Sequence, residues 1–178
     1  MVPERALRIA RFIETLPPSI NFQFEVVADT ISEAMLDFFE HEADPARYRF
    51  EIGVQSLNSK TLEAVDRRQD NQRLLEVTSR LLKRGYVCHL DLIAGLPWEG
   101  IESFRTSFNE VYGMEPEQLQ LGFLKVLKGS HMAEMAESYG LVYSRRPPYE
   151  VLSTRWISYE ELLELKGVEE MVEIHYNS

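Results

Sequence analysis

Two hydrophobic periods alternate along this chain. Residues 3–16 set Ala6, Ile9, Ala10 and Ile13 on one stripe at helical spacing, with Pro3 suited to the first turn and Pro17-Pro18 as the stop. Residues 21–28 change to strict alternation, with Phe22, Phe24 and Val26 on one side and Gln23 and Glu25 on the other. Ser32 then suits the cap of a helix reaching about Glu42, whose inner face is Met35, Phe38 and Phe39. From Arg47 to Ser56 the alternation returns: Phe50, Ile52 and Val54 point one way, Glu51, Gly53 and Gln55 the other.

The pattern repeats further on. Asn58 to Arg67 predicts a short helix, and Asn71 to Arg84 a longer one carrying Leu74, Val77, Leu81 and Leu82, closed by Gly85. Residues 86–96 predict a strand with Cys88, Leu90, Leu92 and Ala94 on one face and His89, Asp91 and Ile93 on the other. Gly95-Leu96-Pro97 turns the chain into a helix from Ser103 to Tyr112, which Gly113 ends. Residues 117–127 predict a fourth strand, in which Leu119, Leu121 and Phe123 alternate with Gln118, Gln120 and Gly122. Four strands separated by helices predict an α/β fold with a parallel sheet.

Beyond Lys128-Gly129-Ser130 the character changes. A short helix over Met132 to Tyr139, a brief extended piece at 141–143 and an Arg145-Arg146-Pro147-Pro148 linker lead to Ser158 and Glu161, which form a capping-box pattern for a last acidic helix. This divides the chain into a strand-helix part, residues 1–130, and a helical C-terminal appendage, residues 131–178.

Composition narrows the partners. A charged fraction of 27% beside 44% apolar residues is that of a globular domain, and no apolar run approaches a membrane span. A net charge of −10 argues against a nucleic-acid backbone as the main ligand. The one cysteine, Cys88, excludes an intrachain disulfide framework and fits a reducing, cytoplasmic setting. It also leaves too few thiols within these residues for a cysteine-ligated metal centre, so no metal site is expected. His41, His131 and His175 stand alone, with no second ligand four residues away.

The candidate chemistry lies on the polar strand faces: Gln23 and Glu25, Glu51 and Gln55, His89 and Asp91, Gln118 and Gln120. A strand buried on both faces is apolar almost throughout, so one reading is that these residues line a cavity holding something polar. The other is that they meet solvent at strand ends or pair with one another. Glu99, after the Gly-Leu-Pro turn, stands at the sheet edge where ligand sites gather, or caps the following helix.

The ordered set Glu51-x-Gly53-x-Gln55-Ser56 followed by Asp91-Leu-Ile93-x-Gly95-Leu96-Pro97-x-Glu99 resembles the radical SAM superfamily. Its Gly-Leu-Pro form is similar to oxygen-independent coproporphyrinogen III oxidases and to cobalamin-binding members such as anaerobic magnesium-protoporphyrin monomethyl ester oxidative cyclases. The resemblance implies a partial parallel (β/α) TIM-type barrel, of which this chain would supply about four βα units from the C-terminal part. It implies that Glu51, Gly53, Gln55 and Ser56 contact the ribose and methionine part of S-adenosylmethionine, and that Ile93 and Gly95 flank its adenine. Glu25, His89, Asp91, Gln118 and Gln120 would face a small-molecule substrate, a tetrapyrrole by analogy. No catalytic residue is assigned.

The family's Cys-x3-Cys-x2-Cys loop and its Gly-Gly-Glu segment have no counterpart in this sequence. By the count of strands, the chain begins after the second strand of such a barrel. The [4Fe–4S] cluster, S-adenosylmethionine and, in some members, cobalamin would then belong to an intact parent whose N-terminal part is the partner of this one. This chain alone is expected to hold none of them and to be inactive. The rivals are a non-catalytic truncated barrel that binds a metabolite or a protein, and an unrelated small α/β domain.

Overall fold

A computed structural model describes residues 3–178. Along the chain run α1 (Pro3–Glu14), β1 (Phe22–Val26), α2 (Glu33–His41), β2 (Tyr48–Gln55), α3 (Ser59–Ala64), α4 (Asn71–Lys83), β3 (Val87–Ala94), α5 (Ile101–Tyr112) and β4 (Gln118–Phe123). The four strands form one parallel sheet in the order β1-β2-β3-β4, as the alternation of strands and helices predicted. The C-terminal stretch adds α6 (His131–Glu134), a small antiparallel pair of β5 (Val142–Tyr143) and β6 (Val151–Ser153), and α7 (Tyr159–His175). This is the α/β, TIM-type barrel portion with a C-terminal helix that the resemblance implied.

Contacts gather the chain into two compact units. The first holds the chain up to Gly53, Gln69–Leu90 and Pro116–Gln118. Its centre is aromatic. Phe39 of α2 meets Tyr48 and Phe50 of β2 and Tyr86 edge-on, with ring centroids 5.1–5.5 Å apart, the geometry that ring quadrupoles favour. Tyr86 also donates its hydroxyl to the Phe39 carbonyl at 2.7 Å.

The end of α1 is tied to the start of β2. Buried Arg47 donates to the carbonyl oxygens of Ile13, Leu16 and Pro17 at 3.0–3.3 Å. Ile13 is in the last turn of α1 and Leu16 and Pro17 lie just beyond it, so the guanidinium sits at the helix C-terminus, where a cation is favoured by the helix dipole. Tyr48 adds a hydroxyl bond to Glu14 at 2.8 Å. Burial and the neighbouring Glu14 carboxylate together push the Tyr48 phenol well above its ordinary range. On the outer side, Arg80 of α4 grips Glu40 of α2 through two bonds of 2.7 Å.

The second unit holds Val54–Arg68, Asp91–Glu115 and Leu119–Ser178. Its core is Leu92, Phe104, Leu121, Val151, Ile157, Leu162 and Leu165. The tail is built into this unit. Val126 N–H donates to the Tyr149 carbonyl and Val151 N–H to the Leu124 carbonyl, both at 2.9 Å. At the far end of the tail, the Asn177 side chain pairs with the backbone of Leu119. Its Oδ1 accepts from the Leu119 N–H at 3.0 Å, and its Nδ2 donates to the Leu119 carbonyl at 2.9 Å.

Some elements differ from the pattern-based expectation. The fourth strand ends at Phe123, not near 127, because the following backbone bonds to the tail at Tyr149 and Val151. The helix after Asn58 stops at Ala64, where Asp66 takes a left-handed conformation. β6 was missed altogether: three residues beside a proline pair carry too little periodicity to register. The α7 capping box is present as expected, with both reciprocal bonds formed.

Phe39→Ala should cost about 3–5 kcal/mol of unfolding free energy, read from urea denaturation, because the vacated ring site is walled by four other rings.

Candidate functional site

In β2 the alternation is realised: Tyr48, Phe50, Ile52 and Val54 are buried, while Glu51, Gly53 and Gln55 are half-buried on the other face. β3 repeats this, with Cys88, Leu90, Leu92 and Ala94 buried and His89, Asp91 and Ile93 half-buried. Burial pushes the Cys88 thiol up to about 12, so it sits as a neutral apolar side chain and not as a metal-ready thiolate. Among the described residues no group of three or more His, Cys, Asp or Glu is placed to hold a metal. The donor set among the described residues therefore does not fit an iron–sulfur cluster.

Within the first unit, register places Glu25 beside Glu51 on adjacent parallel strands. Gln23 reaches across and donates to Glu51 Oε2 at 2.9 Å, which fixes the carboxylate in position. Glu51 is half-buried and Glu25 exposed. His89 and Gln118 also belong to this unit and are half-buried.

The second unit holds the exit of β2. Gln55 has φ 65°, and the Ser56 N–H donates back to the Val54 carbonyl at 2.8 Å. This is a γ-turn of the rare kind with positive φ at its centre, a strained conformation for a residue with a side chain. The neighbouring side chains hold it. Ser56 is fully buried, and its hydroxyl donates to Glu99 Oε1 at 2.6 Å while accepting from the Asn58 N–H at 2.9 Å. Asn58 in turn donates to the Trp98 carbonyl and to Ser103, and the Leu57 N–H donates to Ser107. The loop after β2 is thus fastened to the turn after β3 and the first part of α5.

The Ser56 hydroxyl is buried and bonded to Glu99, next to the turn that carries Gln55. Gly95 was expected beside an adenine ring. A Cβ built on it would lie 2.5 Å from Val151 Cγ1, with Leu162 next, so the tail fills the space where its side chain would be. Its φ of 82° independently favours glycine. Ile93 keeps its half-buried position, Asp91 is half-buried and Gln120 exposed. Trp98, also left-handed at φ 62°, lays its indole against Trp156 of the tail with centroids 4.8 Å apart. No spacing in the sequence marks that pair.

Glu99 is the buried ionisable group of this unit. It is 1% exposed, its Oε2 has no hydrogen-bond partner, and burial pushes its carboxyl up to about 7, opposed by the Ser56 and Ser103 hydroxyls. Between the ordinary 4.5 and about 7 the folded chain keeps a proton that the unfolded chain has lost. This contribution to stability therefore falls as pH rises through that window and stays constant above it. At about 1.4 kcal/mol per pH unit the loss sums to roughly 3 kcal/mol. Glu99→Gln should flatten the slope of urea stability between pH 5 and pH 8; identical slopes in both proteins would assign the dependence elsewhere.

The family model for a protein of unknown function, DUF4080, matches residues 137–178. The oxygen-independent coproporphyrinogen-III oxidase-like protein HemZ of Bacillus subtilis is 31% identical over 113 residues, which are 62% of this chain and 22% of that protein. Among solved structures, coproporphyrinogen III oxidase HemN from Escherichia coli, described as a radical SAM enzyme, aligns with TM-score 0.64 at 18% identity. The match covers 97% of this chain and 37% of that one. The radical S-adenosylmethionine methyltransferase TsrM from Kitasatospora setae, solved with cobalamin and a [4Fe–4S] cluster, aligns at TM-score 0.59 and 14% identity, over 83% of this chain and 31% of its own. The chain thus spans between about a fifth and a little over a third of these three proteins. In sequence it is similar to part of the coproporphyrinogen oxidase relatives, and in fold to part of these radical SAM enzymes.

Proposed function

We propose that this chain is the cosubstrate-holding and substrate-facing part of a radical SAM oxidoreductase, acting together with an N-terminal part that supplies the cluster cysteines. The observation that carries the reading is the pair of half-buried polar faces on β2 and β3, set against fully apolar opposite faces. A purely structural parallel sheet has no use for a carboxylate there.

Glu51 would accept from the hydroxyl or ammonium groups of S-adenosylmethionine. Its carboxylate is already fixed by Gln23, so little side-chain freedom is lost on binding. Gly53 and Gln55 lie on the same face of the same strand, and Gln55 is presented by the strained turn. Ile93 offers an apolar side chain to the adenine, and Gly95 would contribute its backbone alone. Glu25, His89, Asp91, Gln118 and Gln120 would be left to orient the substrate. The cluster would be held by the N-terminal part and, with S-adenosylmethionine, would supply the chemistry for removing hydrogen from an organic substrate, while the residues of this chain would hold the cosubstrate and orient that substrate. A tetrapyrrole is the proposed substrate class, by analogy with the coproporphyrinogen oxidase relatives, and the chain by itself is expected to be inactive.

DNA sequence upstream of the Met1 codon should continue in frame and encode a Cys-x3-Cys-x2-Cys loop. In the protein made from that longer frame, Glu51→Ala should weaken S-adenosylmethionine binding at least about tenfold by calorimetry, the loss of one charge-assisted contact. An upstream stop codon would turn the reading towards a truncated, non-catalytic binding module.

A further inference from the structure

We infer that the outward face of α7, together with α5, is a docking surface for an amphipathic helix whose apolar stripe is bordered by lysine or arginine. Nothing in this inference depends on the radical SAM reading. α7 is 17 residues long and apolar on two opposite sides. Leu162, Leu165 and Val172 are buried in the core of the second unit. Leu163, Gly167, Met171 and Ile174, spaced by four, four and three residues, fall on one stripe of the other side by the helical period. A helix that packs on one side alone carries polar residues there. Leu163, Met171 and Ile174, with Tyr112 of α5, are instead 45–50% exposed.

The stripe is shaped as well as apolar. Beside it lies a groove of about 470 Å³ lined by Phe108, Tyr112, Gly167, Val168, Met171 and Tyr176. A Cβ built on Gly167 meets nothing within 4 Å, so the helix backbone itself is open to close approach. Large side chains flanking an open glycine make a notch into which a side chain of another helix can set.

Charge selects the occupant. α7 carries six glutamates against one lysine, and that lysine, Lys166, is paired with Glu150. By the helical period Glu164 and Glu170 fall on opposite borders of the stripe, three residues either side of Gly167. A second copy of α7 laid across the notch would set carboxylates of both copies along both borders, in a chain already at −10. A basic-bordered helix meets complementary charge at the same places.

Two synthetic helical peptides of about 18 residues, identical in their leucine stripe and bordered either by lysine or by glutamate, separate the cases when titrated into the 178-residue chain by fluorescence anisotropy. The lysine peptide should bind at least about tenfold tighter, and the difference should shrink at high salt. Gly167→Leu, which fills the notch without harming helix propensity, should abolish binding. The Glu164→Lys, Glu170→Lys double variant should invert the preference. Equal binding of both peptides, or binding of neither, overturns the inference. So does a dimer in sedimentation that Met171→Glu dissociates, since the occupant would then be a second copy.

Discussion

Neighbouring side chains in a strand leave on opposite sides, and β2 and β3 have committed one side each entirely to apolar packing. Everything else about the polar residues follows from that division. Because Phe50, Ile52 and Val54 must be inside, Glu51, Gly53 and Gln55 cannot be. A slip of one residue in register would bury a carboxylate and expose a ring. The aromatic cluster around Phe39 therefore does more than stabilise: it fixes which face Glu51 presents and allows Gln23 to meet it.

A second constraint acts where β2 ends. A residue with a side chain at φ 65° costs on the order of 1–3 kcal/mol and persists only where its surroundings over-determine it. Here those surroundings are Ser56, Asn58 and Leu57, fastened to Glu99, Ser103 and Ser107. The buried carboxyl of Glu99 is therefore tolerated for what it holds. Its unpaired oxygen and raised titration record the expense of keeping a charged residue type at that junction.

Much of this was legible in the chain. The strand faces were readable because burial on one side imposes a period of two, and Phe50-Glu51-Ile52-Gly53-Val54-Gln55 displays it without interruption. The capping box at Ser158 and the helix end at Gly85 were readable because each rests on local chemistry. What escaped was non-local. Ser56 and Glu99 are 43 residues apart, and only the turn geometry shows that the serine faces the glutamate and not the open side. At Gly95 the space a side chain would take is filled by Val151 and Leu162, which come from β6 and α7, more than fifty positions on. Polar residues reveal that they need partners but not which ones.

The Asn177 amide has a consequence for how this protein behaves in a crowded solution. An amide group copies the donor-acceptor pair of a backbone unit, so at Leu119 a side chain stands in for the peptide of an adjoining strand. A ladder needs a run of such units, and a single borrowed one cannot pass the pattern onward. On that flank of β4, sheet growth by accretion of stray polypeptide meets a terminator donated by the chain's own last turn.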